Sequence, residues 1–146
     1  MSKKLTREWK KVLKTDLPYI VYEIKDIVKV PAMIILEGPL GAGKTTFTQV
    51  FLGEENILSP TYSVLSESKL ALHADFYRIE KNEEIMHLEL PLYLEDKQYF
   101  LVEWGEKFFK RLAKEVPETF SFYQVEIEVI GENQLRHFKL FTLSEE

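Results

Sequence analysis

The chain contains no cysteine, which rules out disulfides and thiolate metal sites and fits a reducing compartment. No stretch approaches the roughly 18 consecutive apolar residues that a membrane-spanning helix requires. Its basic start, MSKKLTREWKK, is not followed by the apolar core and small-residue cleavage site of a secretory leader. The expectation is a cytoplasmic protein with no membrane partner. An excess of positive charge is also missing. With 24 acids against 19 bases the formal net charge is -5, which argues against coating bare nucleic acid by bulk electrostatics. Internal repeats and low-complexity linkers are absent as well. The length of 146 residues suits one domain spanning 1–146, and 45% hydrophobic residues are enough to build a core.

What is present alternates between two periodicities. Leu5, Trp9, Val12 and Leu13 recur at helical spacing in SKKLTREWKKVLK, so residues 2–14 read as an amphipathic helix with a solvated basic face. DLPYIVYEIKDIVKV mixes both signals. MIILE (33–37) is a short apolar run that reads as a buried strand, and TTFTQVFL continues as a helix stopping at Gly53. SPTYSVLSE reads as a loop entering a strand, KLALHAD as a strand, and KNEEIMHLELPLYL as a helix ended by Pro91. QYFLVEW is a further buried strand, and EKFFKRLAKEV a helix stopped by Pro117. The alternation on both sides of GEN in QVEIEVIGENQLRHFKLF signals a hairpin. Short apolar strands alternating with helices predict an α/β fold with a mostly parallel central sheet and an antiparallel C-terminal edge hairpin.

Between the first buried strand and its helix lies GPLGAGKTT. Gly38, Gly43, Lys44 and Thr45 satisfy G-x-x-x-x-G-K-[ST], with strand before and helix after as the motif demands. Glycines permit a tight loop whose backbone N–H groups converge on phosphate oxygens, and the helix N-terminus adds its dipole. By this logic residues Gly38, Pro39, Leu40, Gly41, Ala42, Gly43, Lys44, Thr45 and Thr46 cradle a nucleoside triphosphate. Lys44 reaches the β- and γ-phosphates, and the Thr45 hydroxyl coordinates Mg²⁺. The layout is that of a three-layer P-loop NTPase-like domain. Such a loop identifies binding well and the reaction poorly.

A phosphate loop also needs an acid for the cation and a group to orient the attacking water. Glu103 ends the apolar run YFLV, and Asp75 ends KLALHAD. In an open α/β sheet both would project toward a ligand beyond the carboxyl ends of the strands. Glu103, on the more buried strand, is the better Mg²⁺ partner, and Asp75 the better water-orienting acid. Spacing alone allows the roles to be exchanged, or either acid to cap the next helix. Glu37 ends a strand too, and its place beside the loop allows a structural role. His73 either tunes a neighbouring acid or bonds a loop, or it is a satisfied half-buried histidine. Arg78 faces phosphate, solvent or a partner; Trp104 fills core or forms a docking surface. His87 and His137 have no companions that suggest a metal site.

Four segments together, GPLGAGKTT, SPTY (59–62), HADFYR (73–78) and VEWGE (102–106), resemble the TsaE (YjeE) family in order and spacing. The resemblance runs from about Ile34 to Gly105. It implies an ATPase of tRNA threonylcarbamoyladenosine (t6A37) biosynthesis, with ATP and Mg²⁺ as cofactors. TsaB and TsaD are the implied protein partners, and tRNA is met indirectly through that complex. It further implies a switch-like loop at Ser59, Pro60 and Thr61, with Thr61 near the γ-phosphate, Asp75 orienting water and Glu103 at Mg²⁺. Lys44, Asp75 and Glu103 are then the catalytic set, and Thr45 and Glu103 the metal set. Two positions depart from the family pattern. Pro39 stands where an acid is common, at a site that contributes backbone. Gly105 replaces the proline of EWPE, which predicts a looser turn after Glu103.

Two rival functions share the loop. A small-molecule kinase normally carries several lid arginines, yet between Thr46 and Glu103 the only arginine is Arg78. A GTPase would need a guanine-reading element such as NKxD, and none is present. A non-catalytic ATP-sensing regulatory subunit would need the same residues, and only turnover separates it from an ATPase.

Overall fold

Every side chain from Ala32 to Leu36 is buried, and this central strand organises the rest of the molecule. The computed structural model describes residues 1–53, 64–131 and 135–145. In chain order the strands are β1 (Ser2–Val12), β2 (Ala32–Glu37), β3 (Leu65–Glu67), β4 (Ala71–Asp75), β5 (Tyr99–Glu103), β6 (Ser121–Ile130) and β7 (Leu135–Ser144). The helices are α1 (Leu17–Ile27), α2 (Lys44–Leu52), α3 (Asn82–Met86), α4 (Leu90–Leu94) and α5 (Phe109–Glu115).

The seven strands form one sheet in the order β1-β7-β6-β2-β5-β4-β3. β6, β2, β5 and β4 are parallel neighbours, while β1–β7, β7–β6 and β3–β4 are antiparallel pairs. β1 therefore runs the same way as the parallel centre, and only β7 and β3 oppose it. The expected hairpin of β6 and β7 forms on one side of the centre. β1 then adds outside it and becomes the edge.

Alternation along the central strands divides the core into two layers. Ala32, Ile34 and Leu36 pack with Leu101 and with Phe47 and Phe51 of α2, under α1. Met33 and Ile35 pack with Phe100 and Val102 on the opposite face, under α3, α4 and α5. This is the three-layer α/β architecture that the strand–helix alternation predicts.

The amphipathic helix expected over residues 2–14 is instead a strand. Two register shifts against β7, between Leu5 and Arg7 and between Trp9 and Val12, explain the misleading pattern. Each irregularity adds residues to one strand and resets its period of two. Trp9 and Val12, three apart, thus both become buried, while Leu5 and Leu13 remain exposed. The Trp9 indole N–H donates to Glu23 Oε1 at 2.7 Å, and Arg7 pairs with Glu23 Oε2 at 3.0 Å, tying the edge strand to α1.

The segment KNEEIMHLELPLYL also differs from expectation. It forms two short helices, and Pro91 lies in the first turn of α4 instead of ending a helix. Proline is tolerated there because that turn's N–H groups lack intrahelical acceptors. The break comes at Glu89, whose φ of 56° is left-handed.

Candidate nucleotide site

The chain leaves β2 through Gly38 and re-enters regular structure at Lys44, the first residue of α2. Gly38 is a packing requirement: a β-carbon there would lie 2.7 Å from the carbonyl oxygen of Ile127 on β6. Gly41 and Gly43 have φ of 82° and 110°, conformations that a side chain resists. Between them the Ala42 N–H donates to the Pro39 carbonyl at 3.0 Å. Pro39 thus contributes backbone, as the sequence suggested.

Lys44 is almost completely buried. Its ammonium donates to the carbonyls of Gly38 and Pro39, the latter at 3.1 Å, and lies 3.9 Å from the centre of the Trp104 ring. Burial pushes the Lys44 pKa down, and the carboxylates of Glu103, Glu37 and Asp75 counter it. The site therefore holds a desolvated cation that an incoming anion would stabilise.

Asp75 and Glu103 are direct register partners at the ends of the parallel pair β4–β5. Leu101 belongs to the α2-side core, so Glu103, two residues on, points to the same side. His73 and Asp75 share that side, because Leu72 and Ala74 pack on the other. Glu103 is buried; its Oε1 accepts from the Thr45 hydroxyl at 3.4 Å and its Oε2 meets His73 Nε2 at 2.7 Å. Asp75 is exposed, and its Oδ1 accepts from the Tyr77 N–H at 3.0 Å, capping the turn that follows. Asp75 does not cap the next helix, whose N-cap is Lys81; it caps the turn between and lines the cleft. Glu37 has the structural role: it accepts from the Glu106 N–H at 3.0 Å. Burial raises its pKa, with that hydrogen bond pulling the other way.

Leu40, Gly41, Gly43, Lys44, Thr45 and Thr46 line a cleft of about 470 Å³. Val64, Asp75, Tyr77, Arg78, Glu103 and Trp104 close it from the opposite side. The fold thus unites Lys44, Thr45, Asp75 and Glu103 in one cavity. Thr61, with Ser59 and Pro60, lies outside the described residues. Among the described residues no cluster of three or more His, Cys, Asp or Glu could hold a metal ion. The hydroxyl of Thr45 and carboxylate of Glu103 are nonetheless hard oxygen donors that suit Mg²⁺, whose shell is commonly completed by phosphate and water.

Trp104 has a left-handed φ of 61° and packs against both Lys44 and Tyr77, whose tilted ring is centred 5.1 Å away. Gly105, where the family has proline, is closely packed. A β-carbon at Gly105 would lie 2.6 Å from Val102 Cγ1.

Arg136 escaped the sequence reading. From β7 its Nε donates to the Ala42 carbonyl at 2.8 Å and its Nη2 to that of Gly41 at 3.4 Å, pinning the glycine loop from behind. It also lines a second cleft of about 490 Å³ across the loop, with Leu13, Lys14, Thr15 and Phe138. A lone arginine in a strand carries no sequence signal for such a role. Only pairing of β6 with β2 brings β7 near the loop.

The family model described as threonylcarbamoyl adenosine biosynthesis protein TsaE matches residues 8–143. The chain belongs to the TsaE family. Among TsaE relatives, the tRNA threonylcarbamoyladenosine biosynthesis protein TsaE of Haemophilus influenzae is 37% identical over 83 residues, 51% of this chain and 52% of that protein. That of Bacillus subtilis is 37% identical over 108 residues, 64% of this chain and 67% of that protein. The chain spans about half the length of the Haemophilus TsaE that it matches. The crystal structure of Bacillus subtilis YdiB superposes with a TM-score of 0.64 at 24% identity, over 99% of this chain and 89% of that one. That likeness supports the P-loop NTPase-like fold of this TsaE-family chain. No helix among the described residues is long and apolar enough to cross a membrane.

Proposed function

We propose that the protein is a slow, partner-coupled ATPase that supports t6A37 modification of tRNA by acting on a TsaB–TsaD complex in the cytoplasm. The observation that carries the ATPase reading is the convergence of Lys44, Thr45, Asp75 and Glu103 on one cleft at the glycine loop. Family membership supports the pathway.

In this reading residues 38–46 hold the phosphates through backbone N–H groups and the start of α2. Lys44 exchanges its carbonyl contacts for phosphate oxygens. Thr45 and Glu103 would hold Mg²⁺, which supplies charge neutralisation on the phosphates when bound. Asp75, at the exposed side of the cleft, orients the attacking water. The apolar side of the second cleft, Leu13 and Phe138, suits a nucleoside base lying across the loop from the phosphates. Thr61 is assigned to the γ-phosphate on the family pattern alone.

The test is ATP hydrolysis by the purified protein with TsaB, TsaD and tRNA, against a Lys44→Ala control. Turnover above the control supports the ATPase. Tight ATP binding with no turnover would instead favour the ATP-sensing subunit.

A further inference from the structure

Glu103 has two carboxylate oxygens and three neighbours that can claim them. Thr45 donates to Oε1, and His73 meets Oε2 at 2.7 Å. Lys44, adjacent to Thr45 and lining the same cleft, is the third. Coulombic attraction between Lys44 and Glu103 is the strongest of the carboxylate interactions acting on that lysine. An ion pair between them would occupy the lysine needed for phosphate and the acid needed for the cation. A buried carboxylate free to rotate would be drawn toward that lysine, because opposite charges attract more strongly where water is scarce.

His73 stands where it can prevent this. Its strand β4 pairs in parallel with β5, which sets His73 beside Leu101, one same-face position before Glu103. Both side chains are largely buried, at 16% and 4% exposure. A carboxylate can only accept, so the Nε2–H of His73 is the donor. Asp75, two residues on along β4, has its own partner in the Tyr77 N–H.

We propose that His73 is a positioning residue for the nucleotide site: by holding Oε2 of Glu103 it keeps Oε1 turned to Thr45 and away from Lys44. The inference rests on the Mg²⁺–nucleotide reading of the cleft. His73 itself touches neither phosphate nor cation; it acts through Glu103. Hydrogen-bond partners of metal-binding side chains typically change metal affinity about 10–100-fold when removed.

The experiment is calorimetric binding of a non-hydrolysable ATP analogue, in EDTA and across a Mg²⁺ titration. It compares wild type, His73→Ala and His73→Gln, each with its melting temperature recorded. The Gln amide can still donate to Glu103, so it guards against loss of fold in the alanine variant. The expected result is that His73→Ala needs about 10–100-fold more Mg²⁺ for half-maximal effect. Its affinity in EDTA stays within about twofold of wild type, and His73→Gln recovers most of the Mg²⁺ response, as a donor-only role requires. Unchanged Mg²⁺ dependence in His73→Ala overturns the proposal. So does a parallel loss of affinity in EDTA and in Mg²⁺, which marks a merely structural histidine. If wild type itself binds no analogue, or binds it with no Mg²⁺ effect, the Mg²⁺–nucleotide reading fails and the inference fails with it.

Discussion

Thr45 and Glu103, 58 positions apart in sequence, meet with hydroxyl and carboxylate oxygens 3.4 Å apart. One lies in the first turn of α2 and the other closes β5, and the β2–β5 pairing brings those two ends together. Asp75 is alongside at the end of β4 but on the exposed side. The two acids therefore differ in setting, and their substitutions should differ in effect. Glu103→Gln is expected to raise the Mg²⁺ concentration needed for nucleotide binding at least about tenfold. Asp75→Asn should leave binding within about twofold and lower turnover about 100-fold. Binding and single-turnover measurements on both variants check this, and the reverse pattern would exchange the roles.

Arg136 spans two carbonyls of the glycine loop from a neighbouring hairpin. Removing it leaves the Gly41 and Ala42 carbonyls without this charged donor, a loss of about 1.5–3 kcal/mol for such hydrogen bonds. Arg136→Ala should therefore lower stability in urea and weaken nucleotide binding. Arg136→Lys should restore little, since an ammonium cannot reproduce the planar fork. Full recovery by lysine would show that charge alone matters here.

Gly105 is fixed by its neighbour Val102. Gly105→Ala should cost about 1–3 kcal/mol through overpacking. The same substitution in a Val102→Ala background should cost less, because the colliding methyl is gone. A double-mutant cycle by denaturant unfolding measures that coupling. Additive effects would rule out the steric account.

Glu37 carries a pH signature. Burial raises its folded-state pKa, so between the ordinary glutamate value and that raised value the folded state binds more protons than the unfolded one. Stability contributed at this site is consequently lost as pH rises through that window. Glu37→Gln keeps an oxygen to accept from the Glu106 N–H and removes the charge. It should raise the melting temperature at neutral pH, with the gain vanishing below the ordinary carboxylate range. A gain that persists in acid would mean the charge is not the cause.

The glycine loop, its flanking strand and helix, and the two acids were legible in the sequence because their signals are local. Apolar runs fix β2 and β5, and the loop's glycines meet backbone needs within one turn. β1 was misread because bulges against β7 reset its periodicity, and that partner lies more than a hundred residues away. Pro91 was misread because proline marks either end of a helix, and only the left-handed Glu89 shows which.

By itself the sequence determined the residue types of the glycine-loop cleft and the alternation that builds a layered sheet. Tertiary structure decided which groups meet. Strand register gave His73 to Glu103 instead of Asp75, and the pairing of β6 with β2 brought Arg136 to the loop. Those contacts depend on hydrogen-bonded neighbours distant in the chain, and no short stretch of residues encodes them.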